Sequence, residues 1–198
     1  MSQIDELPAR LVVMALPLES QGVFESAGIP VLFTGVGKVN AAHALTRRLA
    51  QYRHTGRPLP HVVNFGTAGS RRLPTGSVVE CRAFVQRDMD VTGLGIPLGV
   101  TPYEDIPSTL PATSSFPQLE QVVCGSGDSF AMSACALECD VVDMEAYALA
   151  KVCWFEGARF TSVKYVTDGA DHAAGEDWQK NLHRAADRFL ELYRSMSG

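Results

Sequence analysis

The sequence predicts an α/β fold in which helices flank a twisted mixed sheet. Short continuous apolar runs, which are typical of buried strands, recur along the chain and alternate with segments of helical periodicity. Four of the predicted strands lead into loops that are rich in glycine or carry an acidic residue. Because such folds bind ligands beyond the carboxyl ends of their strands, the same pattern predicts a site at that edge of the sheet.

Length and composition narrow the class of protein. The chain has 198 residues, enough for a sizeable core, and no linker or repeat divides it, so we expect a single domain over residues 1–198. The net charge of −5 argues against a general nucleic-acid binder. No apolar run reaches the roughly 18–20 residues of a membrane span, and the polar, acidic N-terminus does not resemble a signal peptide. We therefore expect neither a nucleic-acid nor a membrane partner.

Five cysteines occur without regular spacing. An odd number of unpatterned cysteines is typical of buried thiols in a reducing cytoplasm. Cys135 and Cys139 are four residues apart, but no second pair of cysteines or histidines stands at metal-ligand spacing. The sequence therefore predicts a cytoplasmic protein without a metal site.

The first third of the chain predicts two strands and a helix. The apolar run 11–16 is the first strand, and Glu19 follows it closely. On position alone Glu19 is an ordinary helix-start charge. A second strand, 30–36, leads into an amphipathic helix, 39–52. The GVGK sequence at 35–38 lacks the spacing and the following Ser or Thr of a phosphate-binding loop, so we expect its glycines to permit a tight turn instead.

The middle of the chain predicts three more strands and one long loop. The strand 61–65 runs into the small residues 66–70, which leave room for a ligand or form a plain turn. A strand rich in β-branched residues covers 77–86. The segment 87–107 is dense in Gly and Pro and predicts a long loop, which in a compact domain is usually functional, disordered or at an interface. A short strand, 121–124, follows.

The stretch before the C-terminal helix carries two carboxylates at element ends. Glu145 precedes a helical run, 146–155, and the strand 160–166 ends just before Asp168. Either acid could be structural, as a first-turn charge or a turn cap. Glu145 has apolar neighbours, where a carboxylate seldom lies without a partner or a task. The pair therefore predicts acid–base chemistry on a polar small molecule, and an amphipathic helix over 177–195 completes the chain.

Seven short motifs occur in the order found in the purine nucleoside phosphorylase and nucleosidase superfamily. The chain resembles this superfamily and is most similar to its 5′-methylthioadenosine/S-adenosylhomocysteine nucleosidases. The motifs cover most of the chain: Ala15 to Glu19, TGVGKVNAA (34–42), NFGTAG (64–69), RDMDVTG (87–93), SGDSF (126–130), DMEA (143–146) and TDGAD (167–171).

The resemblance implies a role for each motif residue. Asp168 is implied as the general acid that protonates N7 of a leaving adenine, and Glu19 as the residue that holds and deprotonates the attacking water. Glu145 is implied to accept hydrogen bonds from the ribose hydroxyls, with Met144 against the sugar and Phe130 stacked on the base. The resemblance places the remaining substrate-binding residues at Thr67, Ala68, Gly69, Asp143, Thr167 and Trp178.

The resemblance also implies an architecture and an assembly. The expected fold is a three-layer α/β/α sandwich, used as a homodimer whose contact includes the RDMDVTG segment, with no metal or cofactor. The chemistry agrees with the residue types, because cleaving an N-glycosidic bond builds negative charge on the base and positive charge on the ribose. Asp168 must then be protonated near neutral pH, whereas Glu19 should stay ionised.

Hydrolysis is expected rather than phosphorolysis. Phosphorylases of the superfamily carry a GDPxR loop after the first strand, where this chain has LPLES, and an Arg near the small-residue turn, where it has Asn64. Without cations a site holds a phosphate dianion poorly. Arg71 and Arg72 follow the turn and are expected on the surface.

Some positions depart from the family pattern and leave alternatives open. Asp143 replaces a common Glu, Lys164 replaces a usual Arg, and the segments after Glu19 and before Asp143 are short. The alternatives are a phosphorylase, a hydrolase for another 5′-modified nucleoside, and a nucleoside-binding protein without turnover. A dinucleotide-dependent redox enzyme is least consistent, because no GxGxxG follows a strand and opens a helix.

Overall fold

The computed structural model describes residues 7–131, 135–171, 177–178, 181 and 184–196. Its strands are β1 (Arg10–Met14), β2 (Val31–Phe33), β3 (His61–Gly69), β4 (Val78–Gln86), β5 (Thr109–Pro111), β6 (Glu120–Ser126), β7 (Val141–Asp143) and β8 (Phe160–Asp168). Its α-helices are α1 (Pro17–Ser20), α2 (Val23–Ser26), α3 (Lys38–His54), α4 (Ala146–Glu156) and α5 (Ala186–Ser195). Among these described residues no helix has both the length and the apolar character needed to cross a membrane.

The strands form one mixed sheet that curls back on itself. Strands β2, β1, β3 and β8 run parallel in that order. Strand β8 then pairs antiparallel with β4, which is parallel to β6, and β6 is parallel to β7. Strand β7 returns to β3 through the antiparallel pair Gly69 and Val142, while β5 lies at the edge of β4. This ring brings β7 and the residues after it to the carboxyl end of β3.

Apolar residues cover both faces of the sheet, which accounts for the continuous apolar runs in the sequence. The neighbours Val12 and Val13 point to opposite faces and are fully buried. Val13 belongs to a core with Leu45 of α3 and much of α4, and Val12 to a second core with Phe24 of α2 and Phe189 of α5. Each such side chain contributes roughly 1.5–3 kcal/mol when it is fully buried. Helices on both faces give the expected three layers.

The sequence located six of the eight described strands, including β2 within the apolar run 30–36. Strands β5 and β7 have three residues each and were not predicted, because so short a run carries no measurable period. Strand β3 continues through the small residues to Gly69, beyond its predicted end at residue 65, since these residues pair with β8. The segment 87–107 is largely irregular, with one 3₁₀ turn at Thr92–Leu94.

The prediction of one continuous helix over 177–195 is wrong because the helix is interrupted. Residues 177, 178 and 181 are α-helical, but Arg184 and Ala185 are not, and helix α5 begins at Ala186. The apolar face expected for this helix holds for Phe189 and Leu192, which are buried, whereas Leu182 lies outside the described residues. Trp178 does not share that core, because it faces the strand ends on the other side of the break.

Candidate active site

A cavity of about 210 Å³ lies at the carboxyl ends of β1, β3 and β8. Every residue assigned to catalysis or substrate binding from the sequence lines it: Glu19, Thr67, Ala68, Gly69, Phe130, Asp143, Met144, Glu145, Thr167, Asp168 and Trp178. The other lining residues were not assigned from the sequence; they are Ala15, Leu16, Val36, Arg87, Ser129, Ala131 and Val142. The last three adjoin an assigned residue, and the first three lie inside motifs, so the motifs could have indicated them. Arg87 opens a motif that was expected only at a dimer contact.

Glu19 is buried at the start of α1, and four protein donors contact its carboxylate. Its Oε2 accepts hydrogen bonds from the N–H groups of Ala15 (2.8 Å) and Leu16 (3.1 Å). Its Oε1 accepts from the N–H (3.0 Å) and the hydroxyl (3.2 Å) of Thr67 on β3. Four donors and no acceptor are satisfied only by an ionised carboxylate. Glu19 therefore caps the short helix, as the structural interpretation expected, and also presents a fixed negative charge to the cavity.

Asp168 is the last residue of β8 and is only 4% exposed. Burial raises the pKa of its carboxyl group, and the neighbouring carboxylates of Asp177 and Asp171 raise it further. Hydrogen bonds from the N–H of Ala170 (2.9 Å) and the hydroxyl of Thr167 (2.8 Å) act in the opposite direction. The net shift is upward, which favours the protonated form that a general acid requires.

Gly69 allows Asp168 to lie directly against β3. A Cβ atom at position 69 would be 2.5 Å from Oδ1 of Asp168 and 3.2 Å from the Cβ of Ala170. The pairing of β3 with β8 also shifts register between Ala68 and Gly69. The small residues at the end of β3 thus make room for a protein carboxylate as well as for a ligand.

Asp143 and Lys164 form a buried ion pair beside the cavity. The Nζ of Lys164 lies 2.8 Å from Oδ2 of Asp143, and both side chains are almost completely buried. Burial alone would raise the pKa of Asp143, but the charge of Lys164 and hydrogen bonds from Ser126 and the Ala146 N–H hold it below its usual range. Burial would likewise lower the pKa of Lys164, and the charge of Asp143 raises it above its usual value. Both groups are therefore charged.

Glu145 precedes α4 and accepts a hydrogen bond from the N–H of Gly37 (2.8 Å). Burial and the charge of Asp143 raise the pKa of Glu145 to about 7, although Lys164 and the Gly37 N–H oppose the shift. Gly37 has φ 97°, in the left-handed region that favours glycine. The GVGK motif thus brings a main-chain donor to a partly buried carboxylate.

Phe130 and Trp178 are the aromatic residues of the cavity. Phe130 is 46% exposed, and the neighbouring Ser129 accepts hydrogen bonds from the guanidinium of Arg87. Trp178 donates its indole N–H to the Thr67 hydroxyl at 3.1 Å. The two rings therefore line a cavity whose polar groups come from the strand ends.

Carboxylates dominate the charge of the cavity. Among the described residues that line it, Arg87 is the one cation, and its Nη atoms donate to Ser129 and Gly127. Arg71 donates to the Ala170 carbonyl, and Arg72 forms ion pairs with Glu120 and Asp140. In the described part of the chain no three His, Cys, Asp or Glu side chains are grouped to hold a metal ion. The arrangement suits a neutral polar ligand better than a dianion.

Comparison with known proteins gives consistent matches. A family profile described as the phosphorylase superfamily matches residues 26–196. The 5′-methylthioadenosine/S-adenosylhomocysteine nucleosidase of Marinomonas sp. (strain MWYL1) is 32% identical over 88% of this chain and 83% of the relative. The enzyme of the same name from Geobacillus kaustophilus (strain HTA426) is 30% identical over 89% of this chain and 82% of the relative.

Solved structures share the fold. The 5′-methylthioadenosine/S-adenosylhomocysteine nucleosidase of Helicobacter pylori superposes with a TM-score of 0.81 at 22% identity, covering 94% of this chain and 96% of that one. The futalosine hydrolase of Helicobacter pylori strain 26695 also superposes with a TM-score of 0.81, at 21% identity and the same coverage. The mixed sheet and its helices are therefore those of this group of nucleosidases.

Proposed function

This chain belongs to the phosphorylase superfamily, and from that premise we propose that it hydrolyses the N-glycosidic bond of an adenine nucleoside and releases the free base. The substrate class is that named for its relatives, 5′-methylthioadenosine and S-adenosylhomocysteine. One observation carries the proposal. A buried acid with a raised pKa, Asp168, and a carboxylate held by four donors, Glu19, line the same cavity.

The two carboxyl groups divide the chemistry between them. Asp168 donates its proton to N7 of the adenine while the C1′–N9 bond breaks and its electron pair moves to the base. The positive charge that develops on the ribose is stabilised by the ionised carboxylates that surround the cavity. Water attacks C1′ and passes its proton to Glu19, so the products are adenine and a 5-modified ribose. General acid–base catalysis of this kind contributes about 10²–10⁴-fold in rate.

The remaining lining residues bind the nucleoside. Glu145 has a pKa of about 7 and, when it is ionised, accepts hydrogen bonds from the ribose hydroxyls. Met144 packs against the sugar. Phe130 stacks on the base, and its partly exposed ring leaves a face free for that contact. The end of β3, Thr67 to Gly69, together with Asp143, Thr167 and Trp178, completes the pocket. Leu16, Val36 and Trp178 supply the apolar lining that suits a thioether substituent.

Water is the preferred nucleophile because the cavity offers little to a phosphate dianion. The N–H groups after β1, which could receive an anion, already donate to Glu19. A phosphate would also lie close to Glu19 itself, at a cost in like-charge repulsion. These contacts support hydrolysis over phosphorolysis.

Glu19→Gln is expected to lower the rate of adenine release from methylthioadenosine by about 10²–10⁴-fold, because an amide cannot take the proton of the water. Calorimetric titration should show nucleoside binding close to that of the wild type. The amide keeps one oxygen for the N–H groups of Ala15 and Leu16 but turns its NH2 towards the Thr67 N–H, so the melting temperature is measured alongside. Glu191→Gln, on the exposed side of α5, is the matched control and should behave as the wild type. A loss of nucleoside binding by a folded Glu19→Gln protein would instead make Glu19 structural.

We further propose a single-domain homodimer that works in the cytoplasm. Both hydrophobic cores pack on the same sheet, which supports one domain. The 3₁₀ turn in and after the RDMDVTG segment exposes 72% of Leu94, an apolar surface that a second copy would cover. All the cysteines are free thiols, as in a reducing compartment. Analytical ultracentrifugation at micromolar concentration tests the dimer, and a monomer mass would exclude it.

A further inference from the structure

Three residues near the C-terminus join the two catalytic strand ends. They are Asp177, Trp178 and Asn181, and we call them the C-terminal wall. The indole N–H of Trp178 donates to the hydroxyl of Thr67 on β3. The side-chain amide of Asn181 donates to the carbonyl of Thr167 on β8 at 3.0 Å and to the carbonyl of Asp177 at 2.9 Å. The wall thus touches both strands at the residues that adjoin Glu19 and Asp168.

The contact with β3 has a fixed direction. An indole can only donate, and a threonine hydroxyl has a single hydrogen. With the Trp178 N–H on its oxygen, the Thr67 hydroxyl directs that hydrogen to Glu19 Oε1 at 3.2 Å. A change at the wall is therefore transmitted through one hydroxyl group to the carboxylate that we assign to the water.

The contact with β8 lies one residue from the general acid. The side-chain amide of Asn181 donates both of its hydrogens, one to the Thr167 carbonyl and one to the Asp177 carbonyl. The same side chain therefore holds the main chain before Asp168 and the main chain of Asp177. This bridge ties the main chain of Asp177 to the end of β8.

The charges around Asp168 come from several elements. Asp171 lies on the loop that follows Asp168, and Asp177 belongs to the C-terminal wall. Arg71, from the turn after β3, donates to the Ala170 carbonyl, and Glu19 and Glu145 face the same cavity. After burial, the carboxylates of Asp177 and Asp171 are the charges that raise the pKa of Asp168. Asp177 is the one of the two whose main chain Asn181 contacts.

We propose that Asn181 and Trp178 are positioning residues of the reaction, which hold the C-terminal wall against β8 and β3 and thereby keep the Asp177 charge beside Asp168. The inference rests on the proposed function, because it assigns the wall a role in keeping the general acid protonated. It adds a residue, Asn181, that no sequence motif indicated, and a hydrogen-bonding role for Trp178 beyond that of an aromatic pocket wall.

Asn181→Leu tests the proposal, since leucine has the size of asparagine but no amide hydrogens. Two neutral hydrogen bonds are lost, and loss of the one that reaches β8 predicts a fall in kcat of about threefold to tenfold. The direction in which the pH profile of kcat should move follows from the protonation state of Asp168. Protonated Asp168 is the active form, so activity is lost as pH rises through its pKa, and removing a nearby negative charge lowers that pKa. The alkaline limb of kcat should therefore move to lower pH in Asn181→Leu.

Asp177→Asn separates the charge from the hydrogen bonds. It keeps the main-chain carbonyl that Asn181 uses, so the wall stays in place while its charge is removed. The alkaline limb should move in the same direction as in Asn181→Leu. Asp187→Asn, in the first turn of α5, removes an equal charge elsewhere and should leave the limb unchanged. An Asn181→Leu protein with the kcat and alkaline limb of the wild type would overturn the proposal.

A second measurement does not depend on turnover. The chain has two tryptophans, Trp154 and Trp178, so an ¹⁵N-labelled sample gives two indole N–H signals, which Trp178→Phe assigns. Asn181→Leu and Thr67→Val should each shift the Trp178 signal and leave that of Trp154, whereas Thr67→Ser should retain it. An unmoved Trp178 signal in both variants would contradict the wall contacts. Absence of base release by the wild type would contradict the proposed function, a result distinct from either of these.

Discussion

Asp168→Asn is expected to lower the rate of base release by about 10²–10⁴-fold, the contribution of a well-placed general acid. Asparagine has the size of aspartate and keeps an oxygen for the Ala170 N–H, but it has no acidic proton for N7 of the base. Nucleoside binding should persist, because the stacking and ribose contacts are unchanged. Rapid-quench measurement of adenine formed in a single turnover checks the rate, and calorimetry checks the binding.

The pH dependence separates Asp168 from a merely structural acid. The wild-type rate should fall on the alkaline side, since the pKa of Asp168 is raised and its protonated form is the active one. The residual rate of Asp168→Asn should lack this alkaline limb. Asp187→Asn again serves as the control. Unchanged base release by Asp168→Asn would show that the acid is another group.

Lys164→Met is expected to destabilise the fold by about 3–5 kcal/mol, because it leaves the buried carboxylate of Asp143 without its partner. The Met side chain fills most of the same space, so the loss reports the charge rather than a cavity. Urea unfolding monitored by circular dichroism gives the free energy. Replacing both residues, Lys164→Met with Asp143→Asn, should restore part of the loss, since neither buried charge then lacks a partner.

The loss should also depend on pH. The pKa of Asp143 is depressed in the folded wild type, so the stability it contributes is present above its unfolded value and is lost as pH falls. In Lys164→Met burial raises that pKa instead, and protonation relieves the unpaired charge. The difference in the free energy of unfolding between the wild type and Lys164→Met should therefore become smaller as pH falls from neutral towards about 4, the ordinary pKa range of an aspartate. A gap below about 1 kcal/mol at neutral pH, the range of surface pairs, would contradict the buried pair.

The sequence predicted a site at the carboxyl edge of the sheet because the ends of the longer strands can be recognised in it. The apolar runs that become β1 and β8 are long enough to be recognised, so Glu19 and Asp168 could be assigned to the same edge of the sheet. The order of the motifs added Phe130, which has no local signal of its own, whereas Glu145 was already indicated by its apolar neighbours ahead of a helix. All of these residues line one cavity, while their roles remain a proposal.

The sequence patterns did not predict the contacts between residues far apart in the chain. The return of β7 to β3 rests on a single residue pair, Gly69 and Val142. Lys164 stood out as a departure from the family, but its ion pair with Asp143 joins β8 to β7, two strands that do not pair with each other in the sheet. Asn181 lies inside an amphipathic pattern that predicted a continuous helix. Its hydrogen bond to a strand carbonyl could not be predicted, because hydrophobic periodicity does not indicate such contacts. These features depend on how the ring of strands closes.

The most direct test of the account is the release of free base with and without phosphate. Purified protein is incubated with methylthioadenosine, S-adenosylhomocysteine, adenosine and inosine, and the bases and sugars are separated by chromatography. If the protein is a hydrolase, we expect adenine and an unphosphorylated sugar from at least one adenine nucleoside in phosphate-free buffer, at a rate that phosphate does not raise. Base release only when phosphate is present, with a sugar phosphate as the second product, would contradict it.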